Sequence, residues 1–303
     1  MMNRLCEGRV AIVTGAGRGV GREYALMLAA HGAKVVVNDL GADVKGVGAD
    51  ATPAQQVVDE IRAAGGEAVV NGADVSSWDQ AKAMIDQAID TFGDLHVLVN
   101  NAGILRDRML ANMTEAEFDD VVRVHLKGTF APSRHAVSWW RDRRKAGHAI
   151  EGRVINTSSA SGLFGNVGQT NYGAAKAGIA SMTVIAAREM AMAKLPVTFN
   201  AIAPRAQTRM TEGLREITDE QRMRRDPRWI APLVTWLASA ESADVTGRVF
   251  EAWGYGYSVA ENWQHGAIMD AVEDPNHVGA RLREILAASK ANAGIERDTW
   301  MNP

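Results

Sequence analysis

The feature that most constrains this chain is a short apolar run, a glycine-rich turn, a helical stretch and a second apolar run in immediate succession. Arg9 to Thr14 (RVAIVT) leads into Gly15-Ala16-Gly17-Arg18-Gly19-Val20-Gly21, and a helical pattern follows to Ala30, where Gly32 stops it. Lys34 to Asn38 (KVVVN) is β-branched and reads as a second buried strand. Together they form one βαβ unit. The order then repeats. Pro53 opens a helix to about Ala64, and Glu67 to Asn71 is a third strand. Ser76 or Ser77 caps a helix to about Thr91, and Leu95 to Val99 is a fourth strand. Two helical segments follow, the first opened by the capping box Thr114-x-x-Glu117, with Gly128 near their junction. Glu151 to Thr157, Val197 to Ile202 and Arg248 to Ala252 complete the strands, with a helix from Tyr172 to Ala193. Short apolar strands alternating with helices imply an α/β, doubly wound (Rossmann) fold: a seven-stranded parallel sheet with helices on both faces. No linker or repeat divides the series. A single domain is expected over 7–260, with a C-terminal helical appendage over 261–303 whose helix runs from about His277 to Asn292.

Composition narrows the function classes. The 303 residues are long enough for a large core, and 47% hydrophobic with 23% charged residues argues against disorder. A net charge of −3 gives no reason to expect a nucleic-acid partner. Cys6 is the sole cysteine, so no disulfide framework or thiolate metal cluster is expected. The charged start lacks the apolar stretch of a signal peptide, and no apolar run approaches the ~20 residues of a membrane span. A cytoplasmic protein without membrane partners is expected.

The glycine turn has the context that gives such a motif meaning: a strand before it, a helix after it and an acid later. Gly15 permits the tight turn, and Gly19 and Gly21 allow close approach at a helix N-terminus, where free N–H groups bind a pyrophosphate. Arg18 and Val20 of the same turn belong to this candidate cofactor site. Asp39 ends the second strand, 24 residues after Gly15, where a dinucleotide's adenosine ribose would lie. Its carboxylate accepts from ribose hydroxyls and repels a 2′-phosphate, which points to NAD over NADP. Asp74 and Val75 follow the third strand, placed to meet adenine. Asn101, Ala102 and Gly103 follow the fourth, where small residues suit close contact with the cofactor; for Asn100 a purely structural turn is the alternative.

The chemistry centres on Ser159, Tyr172 and Lys176. Tyr172 and Lys176 stand four apart and share one helix face, so the ammonium can approach the phenol. A phenol ordinarily titrates near ~10. A nearby cation could lower that value by two or three, roughly 3–4 kcal/mol, towards the working range of a general acid–base. Ser159 lies thirteen residues before Tyr172, at the end of a strand. A strand end, a loop and a helix start can bring these three side chains to one point.

These motifs carry a resemblance. TGAGRGVG, NNAG and Ser159…Tyr172-x-x-x-Lys176 look like the short-chain dehydrogenase/reductase superfamily over residues 7 to about 255. The resemblance implies that Tyr172 is the acid–base, that Ser159 orients the substrate oxygen, and that Lys176 lowers the phenol pKa and binds the nicotinamide ribose. A narrower set is similar to the (3R)-hydroxyacyl-CoA dehydrogenase domain of peroxisomal multifunctional enzyme type 2: VVVNDLG with Gly46-Val47-Gly48, VVDEIRAAGGEAV, VHLKGTF, TSSASGLFGNVGQTNYGAAKAG, NAIAPRAQTRMT, APLVTWLAS and GRVFEAWGYG. That likeness implies an acyl-CoA substrate, fatty acid metabolism and a homo-oligomer, a dimer or tetramer. His125 stands where the superfamily usually has an asparagine feeding a water relay to the lysine, and is a candidate catalytic residue. Pro204-Arg205 replaces the usual proline-glycine, and Thr208 is a candidate contact to the nicotinamide amide. A substrate lid is expected over about 205–228, whose seven arginines face either a coenzyme A phosphate or solvent. The expected reaction is NAD-dependent interconversion of a secondary alcohol and a ketone. A steroid or terpenoid alcohol is the alternative substrate, and a non-catalytic dinucleotide-binding regulatory or scaffold protein the alternative of another class.

Overall fold

A computed structural model describes residues 4–43, 45–48, 50–206, 218–254, 256–261, 275–290 and 293–294. The chain separates into two units, residues 1–260 and 261–303. The first is built on one eight-stranded sheet in the order β3-β2-β1-β4-β5-β6-β7-β8. Its strands are β1 (Val10–Thr14), β2 (Lys34–Asn38), β3 (Ala68–Asn71), β4 (Val97–Asn100), β5 (Gly152–Thr157), β6 (Val197–Arg205), β7 (Arg248–Trp253) and β8 (Gly256–Ala260). The first seven pair in parallel, as the apolar runs require. The eighth was not anticipated. It folds back antiparallel on β7, pairing Val249 with Ala260 and Trp253 with Gly256. A half-exposed edge strand carries no continuous apolar run, so GYSVA gave no strand signal.

Period-two alternation splits the parallel strands between two cores. Ala11 and Val13 of β1, with Val35 and Val37 of β2, pack with Leu28 of α1 (Gly19–Ala30), Val57 of α2 (Thr52–Ala63) and Val234 of α9 (Ala231–Ala238). Val10, Ile12 and Val36 point the other way, to Met84 of α3 (Trp78–Phe92) and Trp140 of α5 (Gly128–Lys145). Trp140 also donates its indole N–H to the Leu95 carbonyl at 2.7 Å, which places it in the core.

The Thr114 capping box forms, opening α4 (Glu115–Val122). Between α4 and α5 the chain winds through a π-turn, Arg123–Lys127, which carries His125. A short helix α6 (Ala160–Phe164) follows β5, then α7 (Thr170–Met192), and α8 (Asp219–Arg224) lies in the expected lid. In the second unit the described residues form α10 (Pro275–Ala288), which begins two residues earlier than the sequence suggests.

Candidate active site and cofactor cleft

The turn after β1 is shaped for an anion. Gly15 and Gly19 take positive φ values of 63° and 57°, a conformation that favours glycine. Arg18, the N-cap of α1, makes no side-chain cap and the first turn carries no acid, so the helix N–H groups there are left without a side-chain acceptor. Gly15 also packs on Ala102, whose Cα would lie 2.8 Å from an added Cβ. Thr14 fastens the two turns together. Its Oγ1 accepts the N–H groups of Asn101 and Ala102 at 2.9 and 3.1 Å, and Asn101 Nδ2 donates to the carbonyls of Thr14 and Gly15.

The cleft above these turns is lined by Gly15, Arg18, Gly19, Val20, Asp39, Asp74, Val75, Asn101, Ala102 and Gly103. Of the glycine-turn residues read from the sequence, Gly21 is absent from that lining. It packs beneath the turn, where an added Cβ would fall 2.2 Å from the Gly15 carbonyl oxygen. That contact brings the start of α1 close beneath the turn. Asp39 Oδ2 accepts the Gly17 N–H at 2.8 Å, and Oδ1 accepts that of Gly41 at 2.7 Å. Asp74 Oδ1 accepts from Ser76 N–H and hydroxyl at 2.8 and 2.6 Å. Sequence reading missed Arg123, which also lines the cleft and reaches Asp74 at 3.4 Å. It belongs to the π-turn, whose register no periodicity announces.

The catalytic candidates stand outside that lining. Lys176 is buried, and its Nζ donates to the Thr157 carbonyl at 2.6 Å and lies 5.5 Å from the centre of the Tyr172 ring. Ser159 caps α6, and its hydroxyl accepts the Ser161 N–H at 3.2 Å. Gly162 lets that helix rest on the backbone of α7: an added Cβ would meet Ala177 N at 2.6 Å and the Lys176 carbonyl carbon at 2.7 Å. Ser158, one residue before Ser159, donates its hydroxyl to the Lys176 carbonyl at 3.0 Å. Asn171 anchors the start of α7. It is fully buried, donates to the carbonyls of Arg106 and Glu117 and accepts the Tyr172 N–H at 2.7 Å. Neither Gly162 nor Asn171 was legible as a site residue, since each acts through contacts distant in sequence or through backbone groups.

Electrostatics correct one expectation. The sequence has Lys176 lowering the phenol. In this pocket burial raises Tyr172 to about 12, opposed by the Ser159 hydroxyl and helped by the Asp107 carboxylate. Burial also lowers Lys176 to about 7. Desolvation disfavours the charged form of each. His125 is buried too. Burial first, then the Lys176 charge, lower it to about 3, against a backbone bond to Ile104.

Thr208, Arg209 and Arg215 lie outside the described residues. Other lid arginines have acidic neighbours: Arg224 meets Glu220 at 2.7 Å, Arg228 meets Asp226 at 3.7 Å and Arg222 meets Asp219 at 4.0 Å. Arg205 extends β6 and pairs at 3.1 Å with Glu251, which is fully buried on β7. Arg222 and Arg228 meet their acids at the exposed surface, whereas Arg205 is held by a buried carboxylate. No helix among the described residues is long and apolar enough to cross a membrane.

Comparison with known proteins shows the family. The family model described as short chain dehydrogenase matches residues 9–221. Peroxisomal multifunctional enzyme type 2 of Mus musculus is 43% identical over 271 residues, covering 89% of this chain but 35% of the relative. The chain thus spans about a third of that protein's length. Hydroxyacyl-CoA dehydrogenase ChsB1 of Mycobacterium tuberculosis is 42% identical over 294 residues, covering 93% of this chain and 89% of the relative. A crystal structure of a short chain dehydrogenase from Mycobacterium avium superposes with a TM-score of 0.86 at 51% identity, covering 96% of this chain and 98% of the other.

Proposed function

The chain belongs to the short-chain dehydrogenase family and is an oxidoreductase of CH–OH groups, and from that premise we propose that it uses NAD to interconvert a (3R)-hydroxyacyl-CoA and its 3-ketoacyl-CoA. The observation that carries the reading is the carboxylate of Asp39 in the lining of a cleft whose Gly103 rests on the imidazole that packs edge-on against Tyr172. A bound nicotinamide supplies the hydride acceptor or donor. The glycine turn and the N-terminus of α1 hold the pyrophosphate, and Asp39 the adenosine ribose. Ser159 holds the substrate oxygen, and Tyr172 exchanges its proton. Burial keeps the proton on the phenol, the state that donates to a ketone oxygen. Accepting a proton from an alcohol requires the phenolate, which the Lys176 ammonium favours at close range. The thioester substrate is supported by the name of one relative, a hydroxyacyl-CoA dehydrogenase matched over 89% of its length.

Steady-state kinetics with both enantiomers of a 3-hydroxyacyl-CoA, a neutral secondary alcohol, NAD and NADP test the proposal. The (3R) thioester with NAD should give the highest kcat/KM. A higher value for a steroid or terpenoid alcohol would overturn the substrate, and equal values with the two cofactors would overturn NAD.

A further inference from the structure

Gly103 and Tyr172 both press on one imidazole. A Cβ added at Gly103 would sit 2.2 Å from His125 Cε1 and 2.9 Å from Nδ1, so the glycine backbone lies directly against the ring. The Tyr172 ring meets the same imidazole perpendicularly, at 90° with centroids 5.0 Å apart. His125 Nε2 lies 3.0 Å from the Ile104 N–H and 2.8 Å from the Ile104 carbonyl oxygen, so either tautomer finds a partner there. Nδ1 is buried and has no hydrogen-bond partner among the described residues. Neither nitrogen bonds Ser159, Tyr172 or Lys176. Gly103 and Ile104 line the cofactor cleft, so the ring joins the wall of that cleft to the phenol.

We propose that His125 is a positioning residue: its ring, tied to the backbone of Ile104 and wedged between the cleft wall and Tyr172, holds the phenol in place and carries no proton in the reaction. This rests on the reading of Tyr172 as the acid–base. Burial and the Lys176 charge, which keep the imidazole neutral, support it.

The test compares His125→Phe, which keeps a ring, with His125→Ala, which removes it. The alanine variant should lose about 10- to 100-fold in kcat with KM changed less than about threefold, as expected of a misplaced group. The phenylalanine variant should stay within about fivefold of wild type and keep the same limbs in its pH–rate profile. A proton carrier would instead cost the phenylalanine variant about 10²-fold or more and remove a limb. That result would overturn the proposal.

A second measurement needs no turnover. Gly103→Ala drives a methyl group into the imidazole, so its effect on the urea midpoint should be large in wild type and mostly relieved in the His125→Ala background. Equal effects in both backgrounds would refute the wedge. Should wild type turn over no secondary alcohol, the functional reading fails while this cycle still judges the contact.

Discussion

The backbone N–H of Gly17 donates to the Asp39 carboxylate at 2.8 Å, which couples the glycine turn to the end of β2. A Cβ on Gly17 would itself meet that oxygen at 2.8 Å. The acid proposed to meet the ribose thus also clamps the turn proposed to hold the pyrophosphate. Wild type should prefer NAD over NADP by at least about tenfold, or ~1.4 kcal/mol. Asp39→Ala should narrow that ratio by removing the repulsion of a 2′-phosphate, and should also weaken NAD binding as the turn loosens. Cofactor titrations and kcat/KM with both dinucleotides measure the two effects separately.

Tyr172→Phe removes the proton and leaves the ring that packs on His125. Fold and NAD affinity should be retained while kcat falls by roughly 10²–10⁴. Circular dichroism and cofactor binding check the first, single-turnover rates the second. A variant that turns over near the wild-type rate would show that the proton comes from another group.

Gly21→Ala should be costly although it touches no ligand. The new methyl would fall 2.2 Å from the Gly15 carbonyl oxygen and 2.5 Å from Asn101 Nδ2. Overpacking of this kind costs about 1–3 kcal/mol. Urea unfolding should show that loss, with NAD affinity reduced in parallel, because the displaced turn is the one that lines the cleft. An unchanged midpoint would argue against the tight packing.

Acid should weaken the protein through His125. Its native value of about 3 lies below the ordinary ~6.5, so between those limits the unfolded chain binds a proton that the native state refuses. Stability is then full above about pH 6.5, falls as the pH drops towards 3 and levels off below it. The loss is on the order of 5 kcal/mol. In His125→Phe the acid limb of a stability–pH curve should be shallower by that amount. Parallel limbs in the two proteins would contradict the buried neutral ring.

Much of this architecture was readable from the chain because its determinants are local. The parallel strands announce themselves as β-branched runs, since a strand covered on both faces has no polar side to show. The glycine turn and Asp39 occur at a spacing that one βαβ unit imposes. What stayed hidden depends on contacts far apart in sequence. Nothing near Gly162 shows that it rests on Lys176, and nothing near Gly103 shows that it faces His125. The raised phenol was missed for a similar reason. Spacing places a cation near Tyr172, but only the assembled pocket reveals how far both groups are removed from water.

The π-turn at Arg123–Lys127 interrupts an otherwise continuous helical run from Glu115 to Lys145. A π-turn amounts to one residue more than an α-helical ladder holds. Deleting a single residue within it would heal the ladder and leave the two flanking helices nearly in phase, because five residues of a π-turn cover about the same rotation as four of an α-helix. The side chains inside the turn would be the ones to move. A residue lost from the exposed turn at 45–48 shortens a surface loop, whereas one lost from 123–127 would take the imidazole of His125 or the guanidinium of Arg123 from its present partners.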